Sequence, residues 1–291
     1  MKILKLGIPK GSLQNKTIEV FKMAGFNIYV SSRSYFPTID DAGIEVTLLR
    51  AQEMARYVEE GVLDCGITGR DWVLENNSKV VTLAELLYAK QTLNPVRWVV
   101  AVRADSKIKT IKDLRGKRIA TELVNYTKKY FKKKKIKIDV EFSWGATEFK
   151  VTSGLVDAIV DITETGASLK ANNLRIIDTI CESKTVFIAN KKAAGNPLKA
   201  KKMDHISLLL KGALQSRDKV GLKLNIKEDK LNTILALLPA LKRPTISFLT
   251  LKGWNAIEVI LEEAEVRRLI PILKENGAQG IIEYPLNKVI Y

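Results

Sequence analysis

The sequence predicts an α/β fold of two lobes with a cleft between them, followed by a small βαββαβ domain, and three observations carry the prediction. Short apolar runs alternate with helix-like segments over the first two thirds of the chain, the pattern of a largely parallel sheet. From about residue 218 the order changes to strand, helix, strand, strand, helix, strand, the ferredoxin-like unit. A length of 291 residues with 46% hydrophobic content suffices for two or three cores, which excludes disorder as the dominant state.

Each element follows from local pattern. Leu4–Ile8 reads as a strand, Pro9-Lys10-Gly11 as a loop, and Ser12 as the N-cap of a helix from Leu13 to about Ala24, stopped by Gly25. Strand Glu45–Leu49, helix Gln52–Glu60 ended by Gly61, and strand Asp64–Thr68 complete the first cycle. The second runs through strand Arg97–Val102, short helix Ile111–Leu114, strand Arg118–Thr121, helix Asn125–Lys134 and strand Lys137–Phe142. It closes with helix Ala146–Ser153, strand Ala158–Asp161 and helix Ser168–Asn172. The apolar strands Arg175–Cys181 and Thr185–Asn190 are expected to lead the chain back toward the first unit, ahead of the helical stretch Leu198–Arg217. The last segment reads as strands Gly221–Ile226, Thr245–Leu251, Ala256–Leu261 and Gly280–Tyr284, with helices Asp229–Leu238 and Glu265–Glu275. The expected division is a first lobe from 1–95 plus about 183–217, a second lobe from 96–182, and the small domain from 218–291.

Composition removes several kinds of chemistry. Cys65 and Cys181 stand far apart without a CxxC partner and read as two thiols, not a bridge. With His205 as the single histidine, neither a histidine-rich zinc site nor a two-histidine acid/base pair can form within one chain. No G-x-S-x-G elbow accompanies it, so His205 reads as a surface residue. Apolar runs such as Ile234-Leu235-Ala236-Leu237-Leu238 fall far short of the roughly 18 residues that span a bilayer. Lys5 interrupts Met1-Lys2-Ile3-Leu4-Lys5-Leu6-Gly7 where a secretory signal needs an unbroken apolar run, so a cytoplasmic protein is expected.

A net charge of +16 suits nucleic acid, an anionic membrane or polyanionic small molecules. Residues 219–291 carry only +3 of it, leaving +13 on the first 218. The densest patches, Lys128–Lys137 with seven lysines and Lys184–Lys202 with six, lack the interleaved aromatics of a nucleic-acid motif. The first, whose aromatics are Tyr130 and Phe131 on a helix-like stretch, reads as a solvated helix face, and neither nucleic acid nor membrane is expected as a partner.

The sharpest local signal is Asp161-Ile162-Thr163-Glu164-Thr165-Gly166-Ala167-Ser168-Leu169, placed between the apolar strand Ala158-Ile159-Val160 and a helix. A strand that ends in an acid and turns through Thr-Gly-x-Ser into a helix offers free backbone N–H groups and two hydroxyls, which suit a phosphate monoester. Asp161 and Glu164 then sit where they can bond ribose hydroxyls or hold Mg²⁺ through water. The same residues also fit a plain helix start, with Thr165 and Ser168 as caps and Asp161 at the positive helix end.

Further motifs fall in order along the chain: Ile8-Pro9-Lys10-Gly11, Leu49-Arg50, Asp64-Cys65-Gly66-Ile67-Thr68-Gly69-Arg70-Asp71, Lys117-Arg118-Ile119-Ala120-Thr121 and Gly145-Ala146-Thr147-Glu148. Gly154-Leu155-Val156-Asp157 leads into the acid-ended strand, and Leu237-Leu238-Pro239-Ala240-Leu241-Lys242 with Pro244-Thr245 follows in the last domain. Together they resemble the ATP phosphoribosyltransferases, the first enzymes of histidine biosynthesis, in their long form and over essentially the whole chain. That resemblance implies transfer of phosphoribosyl from phosphoribosyl pyrophosphate to N1 of ATP with Mg²⁺, on two periplasmic-binding-protein-like lobes with a C-terminal regulatory domain. It implies Thr163, Glu164, Thr165, Gly166, Ala167 and Ser168 as the phosphoribosyl pyrophosphate loop. Asp161 and Glu148 become the catalytic acids facing ribose or metal, with Asp161 holding the metal through water. Lys10, Gly11, Arg50, Thr68, Gly69 and Asp71 line the ATP site, and Leu241, Thr245 and Ala278 contact histidine as allosteric inhibitor. A homo-oligomer, dimer to hexamer, is implied as well. Two positions depart from the family pattern: Arg243 stands where Ser is common, and Ser12 where Arg often follows the glycine.

The local chemistry agrees at several points. Lys10 in a glycine-containing turn and the permanently charged fork of Arg50 suit phosphate, and Asp71 can accept from an amine or a ribose hydroxyl. Plain structural roles compete: Arg50 as an anchor at a strand end, Asp71 as a helix cap, and Gly66 and Gly69 as turn residues. Two other kinds of protein share parts of the pattern. A solute-binding protein has the same two lobes but no Thr-Gly-x-Ser loop, and a nucleic-acid binder would use the lysine patches.

Overall fold

Period-two alternation along Val96–Arg103 layers the second lobe. Trp98, Val100 and Val102 pack with Leu114, Ile119 and Phe131 on one face of the sheet, whereas Val99 and Ala101 pack with Val151, Val156 and Leu169 on the other. A sheet buried on both faces reads as a continuous apolar run, and the strand is buried from Trp98 through Val102. The computed structural model describes residues 3–31, 34–89, 95–239 and 244–291. Among them no helix is long and apolar enough to cross a membrane.

The residues before 208 hold two five-stranded sheets. One runs Ile44–Arg50, Leu4–Lys10, Cys65–Gly69, Thr185–Ala189, Val81–Leu86, and the other Leu174–Ser183, Val96–Arg103, Ala158–Thr163, Arg118–Thr121, Asp139–Phe142. Each sheet has two parallel pairings and two antiparallel ones. The largely parallel sheet expected from sequence is therefore half right. Val96–Arg103 enters the second sheet from the first, and Thr185–Ala189 returns, and each runs against its neighbours. Of the two strands expected to lead back, Leu174–Ser183 stays in the second sheet. Val81–Leu86 is not expected from the sequence: its one partner strand among the described residues, Thr185–Ala189, lies about a hundred residues on, so no local pattern announces the pairing.

The first helix, Gln14–Ala24, is flanked by Leu13 without a side-chain cap, so Ser12 is not the N-cap. Its end is as expected: Gly25 is left-handed at φ 98, and Phe26 N–H donates to the Phe21 carbonyl at 2.9 Å.

The chain divides into the units Met1–Ser207 and Leu208–Tyr291, the boundary falling within the helix Pro197–Gln215. In the second unit Thr245–Phe248, Trp254–Glu262, Lys219–Lys227 and Gln279–Pro285 form an antiparallel sheet in that order, with helices Leu231–Leu237 and Glu263–Glu275. This is the βαββαβ order read from sequence. Alternate residues of Lys219–Lys227 and Trp254–Glu262 face the helices, so Leu222, Leu224, Ile226, Ile257, Val259 and Leu261 share one core with Val266, Leu269 and Leu273.

Candidate active site

Ligands of open α/β sheets gather outside the carboxyl ends of the strands. There the first lobe places two cations side by side, because Leu4–Lys10 and Ile44–Arg50 pair in parallel with Lys10 opposite Arg50. Both residues are exposed. Lys10 Nζ lies 4.0 Å from the centre of the Tyr35 ring, and among the described residues neither cation has an acidic partner. They open onto a cavity of about 390 Å³ between the two lobes of the first unit. Gly11, Gly69 and Asp71 also line it, as does Lys184, whose Nζ is paired with Glu85 at 2.7 Å.

Asp71 is 2% exposed, and its bonds point away from a simple ligand role. Its Oδ2 accepts from Trp98 Nε1 at 2.7 Å, its Oδ1 accepts from Trp72 N–H at 2.9 Å, and its own N–H donates to Ser183 Oγ at 3.0 Å. Burial pushes the carboxyl above the usual range, while the bonds from Trp98 and Trp72 oppose the shift. Gly69 makes this placement feasible: a Cβ there would stand 2.1 Å from Asp71 Oδ1. Thr68 departs from its expected role. It is fully buried, does not line the cavity, and donates its hydroxyl to the Ala51 carbonyl at 2.7 Å, tying the strand end to the start of Ala51–Glu59.

The opposite wall is acidic. Asp161 lines the cavity near the end of Ala158–Thr163, and Glu122 lines it as the first residue after Arg118–Thr121. Burial pushes the Asp161 carboxyl up to about 7; the Ile162 N–H, 2.7 Å from Oδ1, opposes this, and the negative charges of Glu148 and Glu122 add to it. Glu148 does not line the cavity, and its Oε1 accepts from Ser168 Oγ at 2.8 Å.

The turn between them is built from its own hydroxyls. Thr163 Oγ1 accepts from Gly166 N–H at 2.8 Å, and Thr165 Oγ1 accepts from Ala167 N–H at 3.3 Å. Gly166 sits at φ 82, a conformation costly for any residue with a Cβ, immediately before the short helix Ala167–Ala171. Thr163 and Glu164 reach the cavity, while Thr165, Gly166, Ala167 and Ser168 continue past its edge.

Among the described residues no three acids, histidines or cysteines converge tightly enough to cage a metal ion. The donor set suits a divalent ion held in another way. Glu122 and Glu148 lie near enough to Asp161 for their charges to raise its carboxyl, and hard carboxylate oxygens so placed suit an ion that keeps its waters and rides on a substrate's phosphates.

Sequence patterns missed Glu122, Trp98 and Gln52. Glu122 carried the same signal as Asp161, an acid at the carboxyl end of a strand. Trp98 and Gln52 carried none, since an aromatic in an apolar strand and an amide at a helix start are ordinary. Leu241 and Arg243 lie outside the described residues. Thr245 is exposed on one edge strand of the small sheet and Ala278 is buried beside the other edge strand. One chain does not bring these two together: three strand spacings separate the edges, roughly 14 Å at about 4.8 Å each.

The sequence pattern described as ATP phosphoribosyltransferase matches residues 50–212, and that of the HisG C-terminal domain matches 216–288. The chain belongs to the ATP phosphoribosyltransferase family. The second match marks the long form, as the motifs implied. The ATP phosphoribosyltransferase of Thermodesulfovibrio yellowstonii is 60% identical over 289 residues, covering 99% of both chains. That of Pelotomaculum thermopropionicum is 58% identical over 287 residues, again covering 99% of both. Among solved structures, an ATP phosphoribosyl transferase (HisG:HisZ) complex from Thermotoga maritima superposes with a TM-score of 0.62 at 29% identity, covering 72% of this chain and 98% of that one. ATP phosphoribosyltransferases are glycosyl-type transferases that carry out the first step of histidine biosynthesis, joining N1 of ATP to C1 of the phosphoribosyl group with release of pyrophosphate.

Proposed function

We propose that the cavity between the lobes is where this chain performs the family's transfer, with ATP against the first lobe and phosphoribosyl pyrophosphate against the second. The observation that carries the reading is the pairing of Lys10 with Arg50 on one wall opposite Asp161 and Glu122 on the other. Two polyanions must lie side by side here, and two cations at adjacent strand ends, neither with an acidic partner among the described residues, are the groups that hold phosphates by charge and by forked hydrogen bonds. The turn from Thr165 to Ser168 would take the ribose 5′-phosphate, with Glu164 beside it facing the ribose hydroxyls.

As the N1–C1 bond forms, the bond from C1 to the pyrophosphate oxygen breaks, and pyrophosphate leaves with the electron pair. Positive charge builds on the ribose. The ionised Asp161 carboxylate faces that charge or the ribose hydroxyls, and Lys10 and Arg50 hold the phosphates in line. A bound Mg²⁺ would neutralise the leaving pyrophosphate, with Asp161 and Glu122 as its water-mediated partners. Adenine N1 carries its own lone pair, so no histidine base is required.

In the second unit Thr245 and the turn around Ala278 are the candidate contacts for histidine as feedback inhibitor. The strand Thr245–Phe248 is exposed throughout at a sheet edge, an arrangement that favours pairing with a second copy, and a homo-oligomer is the reading it supports. A biosynthetic enzyme without a membrane-spanning helix among its described residues fits the cytoplasm.

The test is turnover of ATP, phosphoribosyl pyrophosphate and Mg²⁺, followed by the absorbance of the N1-substituted adenine. Arg50→Ala and Asp161→Asn should both lose activity. Wild-type kcat/KM in both would overturn the assignment of this cavity, whereas a chain that only binds one ligand without turnover would behave as a solute-binding protein.

A further inference from the structure

The short helix Arg70–Glu75 belongs to the first lobe, directly after Cys65–Gly69, yet both of its ends are bonded to the second. At the first turn Asp71 takes the indole N–H of Trp98, which stands on Val96–Arg103, and gives its own N–H to Ser183 at the end of Leu174–Ser183. At the last turn the Glu75 carboxylate accepts from the backbone N–H groups of Asn125 and Tyr126, each at 2.9 Å, one on each oxygen. Asn125 Nδ2 also donates to the Glu75 carbonyl at 3.3 Å.

Those two N–H groups open the helix Val124–Lys133, whose flanking residue Leu123 offers no side-chain cap. The first N–H groups of any helix need partners, and here the partner comes from across the cleft. The capped helix begins two residues after Glu122, which lines the cavity and lies 3.5 Å from Gln52 of the facing lobe. Glu75 itself does not line the cavity. A cap supplied from within a lobe stabilises only its helix; one supplied from the other lobe also fixes how far apart the lobes stand.

We propose that Glu75 is a positioning residue for the transfer: by capping Val124–Lys133 from the first lobe it sets the separation of the two walls and the place of Glu122, and so the distance over which the substrates meet. The inference rests on the cavity being the reaction site. Reaction requires the joining atoms within about 3–3.5 Å, and a misplacement of about 1 Å costs on the order of a hundredfold. Glu75 touches neither substrate, so its loss should act on turnover and leave the binding of one substrate alone unaffected.

The experiment compares full-length Glu75→Ala, Glu75→Asp and Glu75→Gln with the wild type. Glu75→Ala and Glu75→Asp, the latter one methylene too short, should lower kcat about 10- to 100-fold. Glu75→Gln keeps one acceptor oxygen and should lose only about threefold. ATP affinity measured by calorimetry without the second substrate should stay within about twofold in all three. In a background with Trp144→Phe and Trp254→Phe, the remaining pair Trp72 and Trp98, edge to face at 5.9 Å, should change fluorescence in Glu75→Ala as the junction loosens. A merely structural cap would lower Tm and leave kcat of the folded enzyme untouched, and wild-type kcat in Glu75→Ala overturns the proposal whatever happens to Tm. Should Arg50→Ala and Asp161→Asn keep wild-type activity instead, it is the location of the active site that fails.

Discussion

Each of the two lobes is built on its own five-stranded mixed sheet, and they differ in what they bring to the cavity. The first supplies cations that are exposed and unpaired among the described residues; the second supplies carboxylates packed close enough that Glu148 and Glu122 help to hold the Asp161 carboxyl up at about 7. An exposed lysine or arginine stays charged without strain and waits for phosphate. A half-buried carboxylate among other acids is costly to ionise, and that cost is relieved only when a cation or a cationic transition state arrives. One wall is therefore at rest when empty, and the other is not.

The largest expected effect tests the strained wall. Asp161→Asn should lower kcat by about 10²–10³, the size of losing one preorganised charge at the reacting centre, as read in the absorbance assay. Arg50→Ala removes a forked phosphate contact from the relaxed wall and should raise KM for ATP about 10- to 100-fold with a smaller change in kcat. An equal loss of kcat in both variants would erase the distinction between the walls. Next in size is pH dependence. Asp161 works ionised, so kcat/KM at low Mg²⁺ should fall toward tenfold per pH unit below about 7 and level off above it. Saturating Mg²⁺ should shift that midpoint downward, because the cation favours the ionised form. A flat profile between pH 6 and pH 8 would leave Asp161 without the role assigned to it.

The smallest effect is on stability and differs between the two walls. Asp161 has its carboxyl near 7 in the folded chain and near 3.8 when unfolded, so the folded form binds its proton more tightly. The stability it contributes is present below 3.8 and lost as pH rises through about 7. At pH 8 Asp161→Asn should therefore raise Tm by about 2–4 °C, the shift expected of about 1 kcal/mol in a chain of this size. Arg50→Ala should not raise Tm at all, since it relieves no strain. Thermal melts of both variants at pH 5 and pH 8 give the comparison.

Legibility of the site in the sequence tracked how local each signal was. Lys10, Arg50 and Asp161 sit at the ends of strands, and a strand end in an α/β lobe is visible from the apolar run before it. The Thr163 to Ser168 turn was visible for the same reason. Thr68 was misjudged because a threonine at a strand end looks the same whether its hydroxyl faces a cavity or the Ala51 carbonyl seventeen positions back. Asp71 sat in the right motif, but its partner Trp98 lies 27 positions away in the other lobe, and nothing local shows which acceptor an indole will find. Glu75 gave no sign, since an acid at a helix end is ordinarily a solvated one.

By itself the sequence determined the periodic elements, the charge division between the first 218 residues and the rest, the βαββαβ order, and the family motifs. All of these depend on contacts within a few residues or on counting. Tertiary structure alone decided the antiparallel return strands, the edge strand Val81–Leu86, the convergence of Glu122 on Asp161, and the bonding of Arg70–Glu75 to both lobes. Each of these joins groups tens of positions apart, where pairing is chosen by the closure of the whole fold and not by the residues on either side.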